Sequence, residues 1–138
     1  MHNPGAGRQL YFAYGSNLAK NRLSQRCPSA GLVRPFELPG WRLVFRCTAD
    51  IEQSIGHTFV GAFYSVTQAD VLVVDQYESV HHGRYRRKYL RVRGIEFLTQ
   101  VMNNDLPEKP PSPAYLALIE QGYRDWRLPM RSLAPDFE

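Results

Sequence analysis

The chain has 138 residues, 43% of them hydrophobic, so one domain with a sizeable apolar core is expected. Two cysteines, Cys27 and Cys47, are too few for a disulfide framework, and no segment approaches the run of about eighteen apolar residues that a membrane helix needs, so a soluble cytoplasmic protein with reduced thiols is predicted. The formal net charge of +4 is local: Arg84, Arg86, Arg87, Lys88, Arg91 and Arg93 fall within ten acid-free residues, which leaves eleven basic residues against thirteen acidic ones elsewhere and argues against a broad nucleic-acid surface.

Residues 1–8 hold no apolar run and read as a flexible leader, with a single domain over residues 9–138. Residues 9–14, Gln-Leu-Tyr-Phe-Ala-Tyr, read as a buried first strand closed by Gly15. Ser16 and Asn17, both strong N-cap types, then open a helix that Cys27-Pro28 ends. Residues 31–38 and 41–46 are extended, and Pro39-Gly40 between them predicts a hairpin turn. Residues 48–58 are polar and irregular. Residues 59–66 resemble a buried strand in which Gly61 marks close approach by another backbone.

Thr67 caps a short helix over residues 68–77, with Val71, Leu72 and Val74 inward and Asp70, Asp75 and Gln76 toward the polar side. Glu78 follows in a loop. Residues 85–93 and 95–102 form a strand pair turned by Gly94, and residues 103–111 form a proline-rich loop. Ser112-Pro113 is a cap followed by proline at the first turn, and Tyr115, Leu118, Ile119, Gly122, Tyr123 and Trp126 make a stripe that should lie against the sheet. This mixed order predicts an α+β domain with a curved or barrel-like sheet.

Three features could carry chemistry. Tyr14, Gly15, Ser16 and Asn17 set a glycine between a strand and a helix start, where amides and the helix dipole suit an anion, although an ordinary capped turn has the same residues. Glu78 is either a solvated carboxylate or a general acid/base. Tyr85, seven residues on, either orients that carboxylate or a substrate, or fills the core as an aromatic. The histidines are His2, His57, His81 and His82; the adjacent pair lacks further ligands at zinc spacing, so no metal is expected.

Together these residues carry a resemblance. Leu10-Tyr11-Phe12-Ala13-Tyr14-Gly15-Ser16-Asn17-Leu18 resembles the glutamyl-binding signature of the γ-glutamyl cyclotransferase family. Gly61-Ala62-Phe63-Tyr64, Val74-Asp75-Gln76-Tyr77-Glu78 and Tyr85-Arg86-Arg87 are similar in order and spacing to that family's second block. Residues 111–116, through Gly122 to Leu128-Pro129, are like its C-terminal helix. The similarity spans about residues 9–130, and three ordered blocks are more specific than any one.

The resemblance implies a mixed β-barrel flanked by helices and an enzyme that needs no cofactor. In the family's reaction the α-amine of a γ-glutamyl amine or peptide attacks its own γ-carbonyl, releasing 5-oxoproline and an amine. Ring closure is intramolecular, so proximity and orientation can supply much of roughly 7–11 kcal/mol of the barrier. Glu78 is implied as the carboxylate that moves the proton, with partial burial expected to raise it from about 4.3 toward the operating pH. Tyr14, Gly15, Ser16, Asn17, Leu18 and Tyr85 are implied as the substrate-binding residues, the amides of the turn supporting the developing oxyanion.

Two positions depart from the family pattern. Ser79 follows Glu78 where the family has glycine, and a tyrosine of the penultimate strand is replaced near Gln100 or Val101, so those two residues are left out of the expected site. His81, His82 and the basic strand are expected near the leaving amine. The alternatives are a non-catalytic small-molecule-binding or interaction module that retains the glutamyl pocket, a nucleic-acid binder using residues 84–93, and an enzyme of the same fold that acts on another acyl amide. Glu78 argues against the first and the acidic remainder against the second.

Overall fold

A computed structural model describes residues 4–77, 83–103 and 106–130. Aromatic and apolar residues at the start of the domain make β1 (Arg8–Ala13), one residue earlier than the sequence pattern places it, with Leu10 to Ala13 buried. It pairs antiparallel with the end of β3 (Thr48–Thr67) and parallel with β5 (Ile95–Met102) through Tyr11 and Leu98. With β2 (Gly31–Arg46) and β4 (Tyr85–Val92) the sheet runs in the order β2-β3-β1-β5-β4. Phe12, Phe36, Phe59, Phe63 and Phe97 pack on it as one cluster, and the Phe36 and Phe63 rings approach to 4.4 Å between centroids.

The α+β class and the mixed sheet are as expected, but closure into a barrel is not detected. Among the described residues the edge strands β2 and β4 are not paired with one another; side chains join the two ends of the sheet instead. Asp50 of β3 accepts the Met102 amide at 3.0 Å, and the Tyr85 hydroxyl donates to the Ala49 carbonyl at 2.7 Å. The sheet therefore curls far enough to bring the first residues of β3 against β4 and β5.

What makes that reach possible contradicts the sequence reading of residues 31–58. Pro39-Gly40 is not a hairpin turn, and residues 48–58 are not irregular. β2 runs through Pro39, and β3 pairs with it along nearly its whole length, the reversal lying at Cys47 between Arg46 and Thr48. Pro39 faces Thr58 and Trp41 faces Gln53, so Gly40 alone lies opposite the four residues Ser54 to His57. Gly40 takes φ +81°, a conformation that glycine adopts without a Cβ penalty, and bulges of this kind bend a strand pair. Beyond the bend the pair is held across strands by Arg42 and Glu52 at 2.7 Å and by the buried Arg46 with Asp50 at 3.2 Å.

The helices follow their caps. α1 (Lys20–Arg26) ends before Pro28. α2 (Gln68–Tyr77) opens on a reciprocal cap: Asp70 N–H donates to Thr67 Oγ1 at 3.1 Å and Thr67 N–H to the Asp70 carboxylate at 3.0 Å. Val71 and Val74 are buried as expected, but Leu72 is exposed, and Asp70 and Asp75 are buried where a polar-facing position was expected. α3 (Pro113–Asp125) starts at Ser112, whose Oγ accepts from Tyr115 N–H at 3.2 Å, with proline at the first turn. Its buried face covers the Ser16–Leu18 turn rather than lying broadly on the sheet as expected, so the helix clamps the turn that follows β1.

Candidate functional site

The turn after β1 departs from the helix start that its residues predict. Ser16–Leu18 is a single 3-10 turn closed by Leu18 N–H to Gly15 O at 3.0 Å, and neither it nor α1 has a side-chain cap. Asn17, expected to cap, is instead buried: its Nδ2 donates to the Tyr11 hydroxyl at 3.2 Å and its Oδ1 accepts from Arg26 Nη1 at 2.6 Å. A residue that gives up the locally favoured role for a buried network marks a place where the chain serves something other than local stability. The Ser16 and Asn17 amides lead this turn, ahead of its first internal bond.

The turn is fixed from below. The Leu18 carbonyl accepts both the Trp126 indole N–H at 2.9 Å and the Tyr64 hydroxyl at 3.1 Å. Burial pushes the Tyr64 phenol well above the usual tyrosine range, so this donor keeps its proton at any ordinary pH. Gly122 of α3 lies so close that a Cβ there would meet Leu18 Cβ at 2.8 Å. Gly15 is enclosed too, a Cβ on it meeting the Tyr115 hydroxyl at 3.3 Å and Ala49 Cβ at 3.4 Å.

Above the turn Tyr11, Tyr14, Gly15, Asn17, Ala49, Gln100 and Tyr115 enclose a cavity of about 10 Å³, room for roughly one water. It abuts, at Tyr115, an open cleft of about 240 Å³ lined by Ser16, Arg22, Arg26, Thr48, Tyr77, Arg84, Tyr85 and Tyr115. Thr48 and Ala49 enter these walls from the start of β3, beyond the bend at Gly40. Ala49 N–H donates to the Tyr115 hydroxyl at 3.1 Å, and Tyr85, besides donating to Ala49 O, lies 2.9 Å from Thr48 Oγ1.

A buried polar chain continues from the turn into the sheet. The Tyr11 hydroxyl donates to Gln100 Oε1 at 2.9 Å, and Gln100 Nε2 donates to Asp75 Oδ1 at 3.1 Å. Asp75 also holds Arg87, with Nη2 at 2.6 Å and Nε at 2.7 Å, and that bond to Asp75 raises the guanidinium above its usual value. Asp75 lies in the last turn of α2, so the network ties the end of α2 to β4, β5 and the Gly15 turn.

Of the expected site residues, the structure brings Tyr14, Gly15, Ser16, Asn17 and Tyr85 to the cavity and the cleft, while Leu18 lies fully buried beneath them and acts through its carbonyl. Glu78, Ser79, His81 and His82 lie outside the described residues. Tyr77, directly before Glu78, is in the cleft wall, its ring under the Arg26 guanidinium at 3.8 Å. Sequence reasoning missed Tyr11, Ala49, Tyr115, Arg22, Arg26 and Asp75, and it excluded Gln100, whose side chain is in the cavity wall and whose carbonyl accepts the Tyr14 hydroxyl at 2.6 Å. The glutamine standing in place of an expected tyrosine was the one available signal there. The basic strand is largely engaged: Arg87 with Asp75, Arg91 with Glu96 at 3.3 Å, and Arg86 with the Met102 carbonyl at 3.2 Å.

Fold and site together define an α+β domain with a clamped glycine turn beside an arginine-lined cleft. Residues 11–126 match the family described as gamma-glutamyl cyclotransferase, AIG2-like, and the chain belongs to that family. It is similar to the gamma-glutamylcyclotransferase of Homo sapiens, 30% identical over 88% of this chain and 73% of the human protein, and to that of Mus musculus, 30% identical over 87% and 72%. A solved structure of a gamma-glutamyl cyclotransferase superposes with a TM-score of 0.79 at 27% identity, covering 93% of this chain and 85% of that one. Among the described residues no helix is long and apolar enough to cross a membrane.

Proposed function

We propose that the protein is a cyclotransferase that releases 5-oxoproline from a γ-glutamyl amine or peptide, with Glu78 as the general acid/base. The observation that carries this reading is that Tyr77 lines the same cleft as Ser16 and Tyr85, and Glu78 is the next residue of the chain. In this reading the leading amides at Ser16 and Asn17 hold the α-carboxylate of the glutamyl group. Gly15 lines the cavity with no side chain of its own, and a Cβ there would crowd the Tyr115 hydroxyl and Ala49.

The γ-glutamyl chain folded in the cleft presents its α-amine to its own γ-carbonyl. Glu78 takes a proton from the ammonium, the amine nitrogen bonds to the γ-carbon, and the carbonyl oxygen gains charge that the amides of the turn stabilise. Collapse of that intermediate breaks the bond to the leaving nitrogen, to which Glu78 returns the proton, and the ring nitrogen passes its second proton to the freed amine, which departs as an ammonium. Products are 5-oxoproline and the free amine. Asp75, bonded to Gln100 and Arg87, fixes the last turn of α2, the element that ends one residue before Glu78 in the chain.

The test is incubation of the purified protein with γ-glutamyl-alanine, γ-glutamyl-ε-lysine and glutathione, with 5-oxoproline measured. Glu78→Gln preserves shape and removes the proton carrier, so turnover should fall by on the order of 10²-fold or more. Equal yields from wild type and variant would refute the role of Glu78. Binding of these compounds without any 5-oxoproline would instead favour a non-catalytic module that keeps the glutamyl pocket.

A further inference from the structure

Most of the arginines on the β2–β3 arm and on β4 have carboxylate partners. Arg42 pairs with Glu52 and Glu108, Arg46 with Asp50 and Glu52, Arg87 with Asp75 and Arg91 with Glu96. The cleft breaks that habit. Arg22, Arg26 and Arg84 all line it, and none of its described lining residues is a carboxylate. Arg22 makes no hydrogen bond or ion pair with any described residue, and its Nε is buried without a partner. Arg84 donates from Nη2 to Thr48 Oγ1 at 3.0 Å and meets no carboxylate among the described residues. A guanidinium fork offers five donors arranged for bidentate capture of a carboxylate, and a partly desolvated one without a counter-charge carries a cost that an anionic ligand relieves.

We propose that this cleft selects substrates whose leaving amine is an acidic amino acid, its two carboxylates taken by Arg22 and Arg84. The inference rests on the cyclotransferase reading and adds the class of leaving group to it. Within that reading the turn at Gly15 uses the carboxylate of the glutamyl headgroup, so the arginines of the adjoining cleft face the other half of the molecule. Two guanidinium groups without carboxylate partners among the described residues match two carboxylates, and the Arg26 cation beside them, which leaves the cleft net positive even with the Glu78 carboxylate of the proposed reaction, discourages a cationic leaving group such as lysine. Thr48 and Tyr85 hold the Arg84 side of the cleft in place through their mutual contact at 2.9 Å.

γ-Glutamyl-glutamate and γ-glutamyl-glutamine have nearly the same shape and differ by one charge, so the ratio of their kcat/KM values isolates the effect. Wild type should favour the glutamate compound by about tenfold or more, a factor equivalent to 1.4 kcal/mol. The ratio should fall toward one in Arg22→Gln, in Arg84→Gln and at about 0.5 M salt, where exposed charges are screened. If Arg22→Gln does not fold, judged by its thermal midpoint, the exposed Arg84→Gln carries the test. Calorimetric titration with the same two dipeptides separates the two readings. Preferred binding of the glutamate compound without 5-oxoproline upholds the anion site and refutes the activity, whereas turnover of both compounds at equal kcat/KM upholds the activity and overturns the anion site. A ratio near one in turnover and binding alike overturns the proposal.

Discussion

Gly122→Ala should destabilise the protein even though alanine is the better helix former by about 0.8–1.0 kcal/mol at an interior position. The residue lies on the face of α3 that covers the turn after β1. An added Cβ would sit 2.8 Å from Leu18 Cβ and 2.9 Å from both the Leu18 carbonyl carbon and the Ala19 nitrogen. Two of those three neighbours are backbone, so no side-chain rotation relieves the contact. Reaching ordinary contact at 3.4 Å needs a shift of about 0.6 Å between α3 and the turn. Overpacking of this kind costs roughly 1–3 kcal/mol, and against backbone neighbours the upper half of that range, about 2–3 kcal/mol, applies, so after the propensity gain a net loss of about 1–2 kcal/mol is expected.

The same shift displaces Leu18 and the Ser16 and Asn17 amides ahead of it, and misplacement approaching 1 Å at a reacting geometry can cost on the order of 10²-fold in rate. Urea unfolding measures the stability term and 5-oxoproline release the second. A Gly122→Ala protein as stable as wild type or more so would show that α3 does not clamp the turn as described. Unchanged kcat/KM in a destabilised variant would separate the clamp from the site.

Asp75→Asn replaces a buried ion pair to Arg87 by a neutral contact and should cost roughly 1–3 kcal/mol, less than a fully buried pair because Arg87 keeps partial access to water; a change under 0.5 kcal/mol by denaturant titration would show that the network does not hold α2. Trp126→Phe keeps the ring beside Tyr64 but loses the indole bond to Leu18 O, about 1 kcal/mol by thermal unfolding, with the Tyr64 hydroxyl still in place. Cys27 is buried, and burial, followed by Asp70, pushes its thiol up to about 11 from 9.0, so iodoacetamide at pH 8 should label the exposed Cys47 and reach Cys27 only on unfolding. The unfolded chain releases that proton first, so the contribution of Cys27 is intact below pH 9 and is lost as pH rises to about 11; comparing wild type with Cys27→Ala across that window checks the sign.

Elements whose chemistry is local were legible in the sequence. Thr67 and Ser112 cap their helices, Gly94 turns β4 into β5 together with Arg93, and Gly61 marks a real close approach, with a Cβ there only 2.6 Å from Ala13 O. Residues whose role depends on partners distant in sequence were not. Asp75 reads as a polar helix position until Arg87 and Gln100, 12 and 25 residues away, are seen to meet it. Pro39-Gly40 carries turn chemistry, and the chain does bend there, but the bend is taken by extra residues on the opposite strand, which no local pattern announces. In the site, the Gly15 turn was legible because its own residues form it; Ala49 and Tyr115 were not, because they arrive on two elements that only the curl of the sheet brings together.

That four-against-one mismatch opposite Gly40 also makes the β2–β3 arm modular. The pairing on either side is fixed by its own side chains, so residues added within Ser54–His57, where Ile55 already projects fully into solvent, leave the alternation of both halves undisturbed. A reporter peptide or fluorophore attachment point inserted at Ile55-Gly56 would therefore ride on the working molecule without retuning its pocket. A single residue deleted between Trp41 and Arg46, by contrast, would turn Leu43 and its neighbours inside out and carry the wrong side chains to the wall now occupied by Ala49.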